Sequence, residues 1–257
     1  MLLTIDIGNT NILFGVFKGE TLLRNWRLST AKEKTPDEYG ITLLSLLENS
    51  NIPVNGISGA IISCVVPPLK ETFSKAVSAY IGRNPLFVEP GIKTGMPIST
   101  DNPKEVGADR IVNAVGAYSI HGCELIVVDF GTAITFDYVT GKGEYAGGAI
   151  SPGIMIASDA LSERTAKLQR VEFSRPSSVV GKNTVDSIKS GLFYGFVGLV
   201  DGIVERIKKE TGGRAKTIAT GGYAGAIFKE TRTIDYLDEF LVLKGLKKIY
   251  EVNKPDA

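Results

Sequence analysis

The stretch TIDIGNTNI places Asp6 near the end of an apolar run and follows it with Gly8, Asn9 and Thr10. An unpaired carboxylate in a packed strand is costly, so Asp6 either caps a turn or faces positive charge. A second stretch poses the same question. Setting Leu2–Phe17 (LLTIDIGNTNILFGVF) beside Leu125–Val139 (LIVVDFGTAITFDYV) with one gap matches Asp6 to Asp129, Gly8 to Gly131, Thr10 to Thr132 and Phe14 to Phe136. Asp and Gly are common turn formers, but two copies at the same point of the same element order make coincidence the weaker account. Glycines in such turns let a backbone approach a ligand closely and adopt φ > 0. The turn N–H groups, with the Thr10 and Thr132 hydroxyls, can point at phosphate oxygens. The acids then suit the Mg²⁺ that accompanies nucleotide phosphates, a hard cation that takes carboxylates directly or through water. Two such hairpins, one from each half, would clamp a triphosphate.

STDNPKEVGADRIVNAV (Ser99–Val115) adds a candidate base. Asn102 suits an N-cap, Pro103 the first helical position and Glu105 the reciprocal capping-box position. Ala108, Ile111, Val112 and Val115 recur at helical spacing toward a core, and Glu105, Asp109 and Asn113 form a polar stripe. Gly107 is about 1 kcal/mol worse than alanine inside a helix, which makes sense if something needs close access there. Asp109 beside Arg110 reads equally as a solvated surface pair or as a base with an anion clamp. ATGGYAG (Ala219–Gly225) follows a short strand and either lets a flat ring such as adenine lie on its glycines or is a plain strand-to-helix turn.

The elements that would carry these residues repeat. Each hairpin continues into a third strand, Leu22–Leu28 and Gly143–Ile150. Helical patterns follow at Pro36–Leu47, Pro68–Ile81 and Pro103–Tyr118, with short β-like runs at Ile57–Ser63 and Leu86–Glu89. The second half predicts helices at Gly153–Lys167, Val185–Lys209 and Leu237–Tyr250, with a strand at Thr217–Thr220. Three strands and then alternating helices and strands, twice over, predict two α/β lobes with a cleft between them.

Composition narrows the partners. In 257 residues, 29 basic and 28 acidic side chains leave a net charge of +1, which argues against a surface built for nucleic acid. Cys64 and Cys123 lack C-x-x-C spacing, so a reduced, cytoplasmic setting is expected. Asp6 interrupts the first apolar run and no basic segment precedes it, so no signal peptide is expected. No stretch reads as the roughly 20 apolar residues of a membrane span. A P-loop is excluded, since Gly181-Lys182 is followed by Asn183 and Pro176 stands where the first glycine belongs. The only histidine, His121, beside Gly122, reads as a helix-end residue.

DIGNT, DNPKEVGADRIVNA, DFGTA, GGAISPGI and GKNTVDSIKSGLFYG, in this order, resemble the type III pantothenate kinases, within the actin-like and sugar-kinase-like ATP-binding group. The resemblance implies an α/β fold of two duplicated ribonuclease-H-like lobes, here residues 1–120 and 121–257. It implies ATP-dependent phosphorylation of pantothenate to 4′-phosphopantothenate, the first committed step toward coenzyme A. Asp6, Ile7, Gly8, Asn9, Thr10, Asn11, Ile12 and Leu13 would form the first phosphate loop and Thr132 part of the second. Asp109 would be the general base, Gly107, Ala108 and Arg110 would line pantothenate, and Thr184 would touch it. Asp129 would hold a monovalent cation (K⁺ or NH₄⁺), and Asp6 would meet Mg²⁺ through water. Such enzymes are homodimers, with Gly181–Gly195 in a position to join the contact. Thr100 stands where the family often has an aromatic, so a ring would be missing from the pantothenate pocket. The rival readings are a kinase for another small hydroxylated substrate and a nucleotide-dependent regulator resembling accessory transcription factors.

Overall fold

The computed structural model describes residues 1–165 and 167–254 and divides into two units, each with its own core. The chain opens as an antiparallel meander of β1 (Leu2–Ile7), β2 (Asn11–Lys18) and β3 (Thr21–Ser29). Helix α1 (Pro36–Asn49) starts from a capping box: the Thr35 N–H donates to Glu38 Oε2 at 2.8 Å and the Glu38 N–H to Thr35 Oγ1 at 3.3 Å. Strand β4 (Gly59–Cys64) pairs parallel with β1, α2 (Pro67–Ile81) opens on proline, and β5 (Leu86–Phe87) pairs parallel with β4. The resulting sheet order is β3-β2-β1-β4-β5. Leu3, Ile5, Ile7, Phe14 and Val16 of this sheet form one core with Leu43 and Leu47 of α1 and Phe73 and Val77 of α2. Burying each such side chain contributes about 1.5–3 kcal/mol.

The expected helix at Pro103–Tyr118 is instead two pieces. Pro103–Glu105 is a single 3₁₀ turn, and α3 (Ala108–His121) begins only after Val106 and Gly107. Asn102 makes no cap to a backbone N–H; its amide donates to Glu105 Oε1 at 2.6 Å. Glu105 therefore lies outside the helix and Asn113 is buried within it, so the expected polar stripe does not form.

The second unit repeats the first. Strands β6 (Leu125–Phe130), β7 (Ala133–Val139) and β8 (Tyr145–Pro152) form an antiparallel meander, then come α4 (Ile154–Arg164) and α5 (Thr184–Thr211). Strand β9 (Lys216–Thr220) pairs parallel with β6, α6 (Ala224–Ile227) follows, and β10 (Tyr236–Leu237) pairs parallel with β9. The order β8-β7-β6-β9-β10 matches the first sheet strand for strand, which is the duplication expected from the two hairpins. The sequence pattern missed β10, too short to show a period. Ala166, within the expected helix Gly153–Lys167, lies outside the described residues.

Two boundaries differ from a division at residue 120. The last helix, α7 (Leu241–Asn253), belongs from Val242 to the first unit, where Leu243, Leu246 and Ile249 are fully buried. Lys247 Nζ of α7 reaches Glu20 Oε1, beyond the end of β2, at 2.7 Å. Conversely, Pro97–Thr100 belongs to the second unit. A further correction concerns α5, whose 28 residues include a window of mean hydropathy 1.3, long and apolar enough by composition to cross a membrane. Its Ile188, Leu192, Phe193, Phe196, Val200 and Val204 line the core of the second unit.

Candidate active site

Asp6 is the fifth of six residues in β1, half-buried, and Asp129 the fifth of six in β6, also half-buried. Each is followed by one buried apolar residue and a tight loop. In the first loop the Gly8 N–H donates to Asn11 O at 3.0 Å. Thr30 anchors it from the end of β3: its Oγ1 donates to Gly8 O at 2.7 Å and its N–H to Thr10 O at 3.0 Å. Nothing in the motif pointed to Thr30; only the register of the three-stranded meander brings it there. Asn9 and Thr10 are exposed at the loop tip and Asn11 is half-buried, while Ile7, Ile12 and Leu13 bury their side chains in the first unit. Those three residues can meet a ligand only through their backbone.

The second loop closes by the Gly131 N–H donating to Ala133 O at 3.1 Å, leaving Thr132 exposed. Neither Gly8 nor Gly131 has a positive φ, contrary to expectation. At Gly8 the need is for space, since a Cβ there would lie 3.0 Å from Asn11 O. A glycine that is left-handed is Gly221, φ 93°, in the turn after β9. A Cβ on Gly221 would collide with Asp129 Oδ1 and stand 2.7 Å from Phe130 N. The glycine-rich turn therefore lies directly against the Asp129 hairpin, which spacing alone did not reveal. Gly153 does the same for Thr132: a Cβ there would run into the Thr132 carbonyl and stand 2.8 Å from Gly131 O.

Asp109 is the second residue of α3, where the helix dipole favours a carboxylate. Its Oδ1 accepts from the Arg110 N–H at 2.9 Å. The close access that Gly107 supplies is to this same side chain, because a Cβ at Gly107 would stand 2.6 Å from Asp109 Oδ1. Gly107, Ala108, Asp109 and Arg110 are all half-buried. Near Asp6, Cys64 ends β4 opposite Ile7; burial pushes its thiol pKa up, and the Asp6 and Glu89 charges add to that rise. Cys64 is thus a protonated thiol at neutral pH, donating to Val66 O at 3.2 Å.

In the second unit, Thr100 ends the segment Pro97–Thr100, which runs beside Tyr145. Its hydroxyl is buried with no hydrogen-bond partner among the described residues. Thr184 is exposed at the first position of α5, after the N-cap Asn183, whose Oδ1 accepts from the Asp186 N–H at 2.9 Å. Its helix terminus presents N–H groups suited to an anion. Asp6, the first loop and Asp109 thus belong to the first unit, and Thr100, Asp129, Thr132 and Thr184 to the second.

Comparison with known proteins identifies the family. The sequence profile of the type III pantothenate kinase family matches residues 2–206. A type III pantothenate kinase of Geotalea uraniireducens is 54% identical over 254 residues, covering 99% of both chains. One from Geobacter sulfurreducens is 53% identical over 254 residues, covering 99% of this chain and 100% of the relative. Among solved structures, a Sinorhizobium meliloti protein described as a 2-dehydro-3-deoxygalactonokinase superposes with a TM-score of 0.62 at 12% identity, covering 100% of this chain and 98% of that one, a likeness of fold. With the profile and whole-chain relatives in agreement, this chain belongs to the type III pantothenate kinases.

Proposed function

We propose that Asp109 accepts the proton of the pantothenate hydroxyl as that oxygen attacks the γ-phosphorus of ATP, while the Asp6–Leu13 loop and Thr132 bind phosphate oxygens. Pantothenate phosphorylation in coenzyme A biosynthesis is the activity of the family to which the chain belongs, with ATP and pantothenate as substrates. The observation that carries the assignment of the base is Asp109 at the second position of α3, its carboxylate oriented by a backbone N–H. Phosphoryl transfer asks the protein mainly for positioning and charge stabilisation, and a preset carboxylate supplies the first. Gly107, Ala108 and Arg110 would hold pantothenate beside it. Thr100, with a hydroxyl where an aromatic is usual, and Thr184 would also contact pantothenate.

The residues fit the expected cations. No group of three or more His, Cys, Asp and Glu side chains gathers to hold a metal among the described residues. Mg²⁺ that keeps its waters and binds phosphates needs only one or two carboxylates, and Asp6 supplies one. Asp129 would offer K⁺ or NH₄⁺ a carboxylate near the end of β6, where the Gly221 turn packs closely against its Oδ1. When bound, these ions would offset phosphate charge; the chain's own part is to present the two carboxylates.

A homodimer is supported by the outer face of α5, where a Cβ on Gly191, Gly195 or Gly198 would meet nothing within 4 Å. Val179 and Val180, 64% and 79% exposed, precede that helix. The near-neutral net charge of +1 supports small-molecule partners over nucleic acid. The core role of the apolar face of α5 supports a protein free of the membrane, and two unpaired cysteines fit a cytoplasmic setting. The deciding experiment is pantothenate-dependent turnover of ATP with and without K⁺ at fixed ionic strength. Formation of 4′-phosphopantothenate that rises with K⁺ or NH₄⁺ is expected. Turnover indifferent to both ions would remove Asp129 from its role, and no phosphopantothenate would overturn the assignment as a whole.

A further inference from the structure

Asp137 of β7 is fully buried and takes no part in the scheme above. Its Oδ1 accepts from the Tyr145 hydroxyl at 2.7 Å and its Oδ2 from Thr135 Oγ1 at 3.0 Å. Tyr145, equally buried, is the first residue of β8, and its main chain holds a separate segment: its N–H donates to Pro97 O at 2.9 Å, and its carbonyl accepts from the Ser99 N–H at 2.8 Å. The next residue is Thr100. It lies beside Gly147, φ 104°, where a Cβ would sit 3.9 Å from Thr100 Cγ2. An acid and a phenol at these positions are expensive to bury compared with an apolar pair of similar size. What they gain is direction. A carboxylate fixed by two hydroxyls fixes the Tyr145 ring, and the Tyr145 backbone fixes the segment that ends in Thr100.

We infer that Asp137 and Tyr145 are positioning residues for pantothenate, acting by holding Pro97–Thr100 against β8 so that Thr100 is presented in one place. The inference rests on the reading of Thr100 as a pantothenate contact. Misplacing a contacting group by about 1 Å is enough to change binding or rate strongly, while an ATP phosphate loop in the same unit need not feel it.

The test is steady-state kinetics of Tyr145→Phe, Asp137→Asn and Thr100→Ala, with KM for each substrate measured separately, well below Tm. For Tyr145→Phe, pantothenate KM rises about tenfold, equivalent to ~1.4 kcal/mol, while ATP KM and kcat stay within about twofold. Thr100→Ala raises pantothenate KM similarly, and combining it with Tyr145→Phe adds little more. Asp137→Asn, which keeps an acceptor for the phenol, falls between wild type and Tyr145→Phe, and carries the test if Tyr145→Phe does not fold. A pantothenate KM unmoved in Tyr145→Phe but raised in Thr100→Ala refutes the inference and spares the reading of Thr100. If neither variant moves it, that reading fails as well. Equal loss in both KM values and in kcat marks a purely structural pair and also refutes the inference.

Discussion

Gly221 and Gly212 have nearly the same backbone, φ 93° and 95°, but different surroundings. Gly212 caps α5, and a Cβ there would meet nothing within 4 Å. Gly221 faces the Asp129 hairpin, where a Cβ would collide with the carboxylate and stand 2.7 Å from Phe130 N and 2.8 Å from Phe130 C. Alanine at either position therefore carries the same left-handed strain, about 1–2 kcal/mol. Only Gly221→Ala adds overpacking, typically ~1–3 kcal/mol. Two of the three crowded atoms are backbone of β6, which cannot rotate aside, so relief must come from a shift of the turn or of Asp129. Gly212→Ala should lower Tm by about 2–8 °C and Gly221→Ala by about 4–20 °C, on the scaling of ~2–4 °C per kcal/mol for a chain of this size.

The functional outcome separates the pair further. With Asp129 as the monovalent-cation ligand, Gly221→Ala weakens activation by K⁺, seen as a higher K⁺ concentration for half-maximal turnover, while Gly212→Ala responds to K⁺ as wild type does. Differential scanning fluorimetry gives the first comparison and a K⁺ titration of initial rate at fixed ionic strength gives the second. Equal Tm losses with unchanged K⁺ response in both variants would refute the argument that the bare Cα of Gly221 serves the Asp129 carboxylate.

Asp109→Asn should lower kcat by about 10²–10⁴-fold, the usual contribution of a positioned base, and leave nucleotide affinity by calorimetry near wild type; near-normal turnover would remove Asp109 from the mechanism. Gly153→Ala, whose Cβ would press on the carbonyls of Gly131 and Thr132, should raise ATP KM more than pantothenate KM; the reverse order would argue against a phosphate role for that loop. Lys247 is buried against its own charge, yet hydrogen bonds and charge from Glu20 and Glu251 raise its pKa above 10.5. Its stabilisation is thus present below pH 10.5 and lost as pH rises through the folded-state pKa. The hydrogen bond and charge of Lys247 hold Glu20 below 4.5, so Glu20's share is present above that pH and lost as pH falls through its folded-state pKa. Lys247→Met should therefore lower Tm by a few degrees between about pH 6 and 9, with the gap to wild type closing at both extremes; a gap independent of pH would show that packing of α7, not the ion pair, is what the lysine supplies.

Much of the fold was legible because its signals are local. Alternation and a D-x-G turn mark each meander, and proline at the first helical position marks α1 and α2. The errors arise where a glycine interrupts a periodic run or a distant contact overrides a local preference. Pro103–Tyr118 has helical spacing throughout, but Val106 and Gly107 are not helical, so the proline turn stays a separate 3₁₀ turn and α3 starts at Ala108. α7 follows the second unit in sequence, yet its buried Leu243, Leu246 and Ile249 and the Lys247–Glu20 pair belong with the first. In the candidate site the loop residues themselves were readable as motifs. Thr30 was not, and the partners of Gly153 and Gly221 were not either, since each acts on a loop more than 20 positions away by sheet register or by a missing Cβ.

The duplicated sheets also bear on why two equivalent acids would serve different ions. In the parallel pairing of β1 with β4, Asp6 lies opposite Ser63; in that of β6 with β9, Asp129 lies opposite Thr220. Both partners are buried hydroxyl residues, 0% and 3% exposed, so the acids start from matching surroundings. The chain diverges immediately afterwards. After Ser63 come Cys64, Val65 and the buried Val66, and Pro67 opens a 15-residue helix. After Thr220 come Gly221 and Gly222 and then a helix of only four residues. Beside Asp6 the neighbouring strand therefore runs on into apolar residues and a thiol held protonated by burial. Beside Asp129 it presents the bare backbone of Gly221, packed so closely that a Cβ there would collide with Asp129 Oδ1. On this reasoning, a different ion at each acid would be set less by the D-x-G hairpins, which are alike, than by the two residues that follow the neighbouring strand.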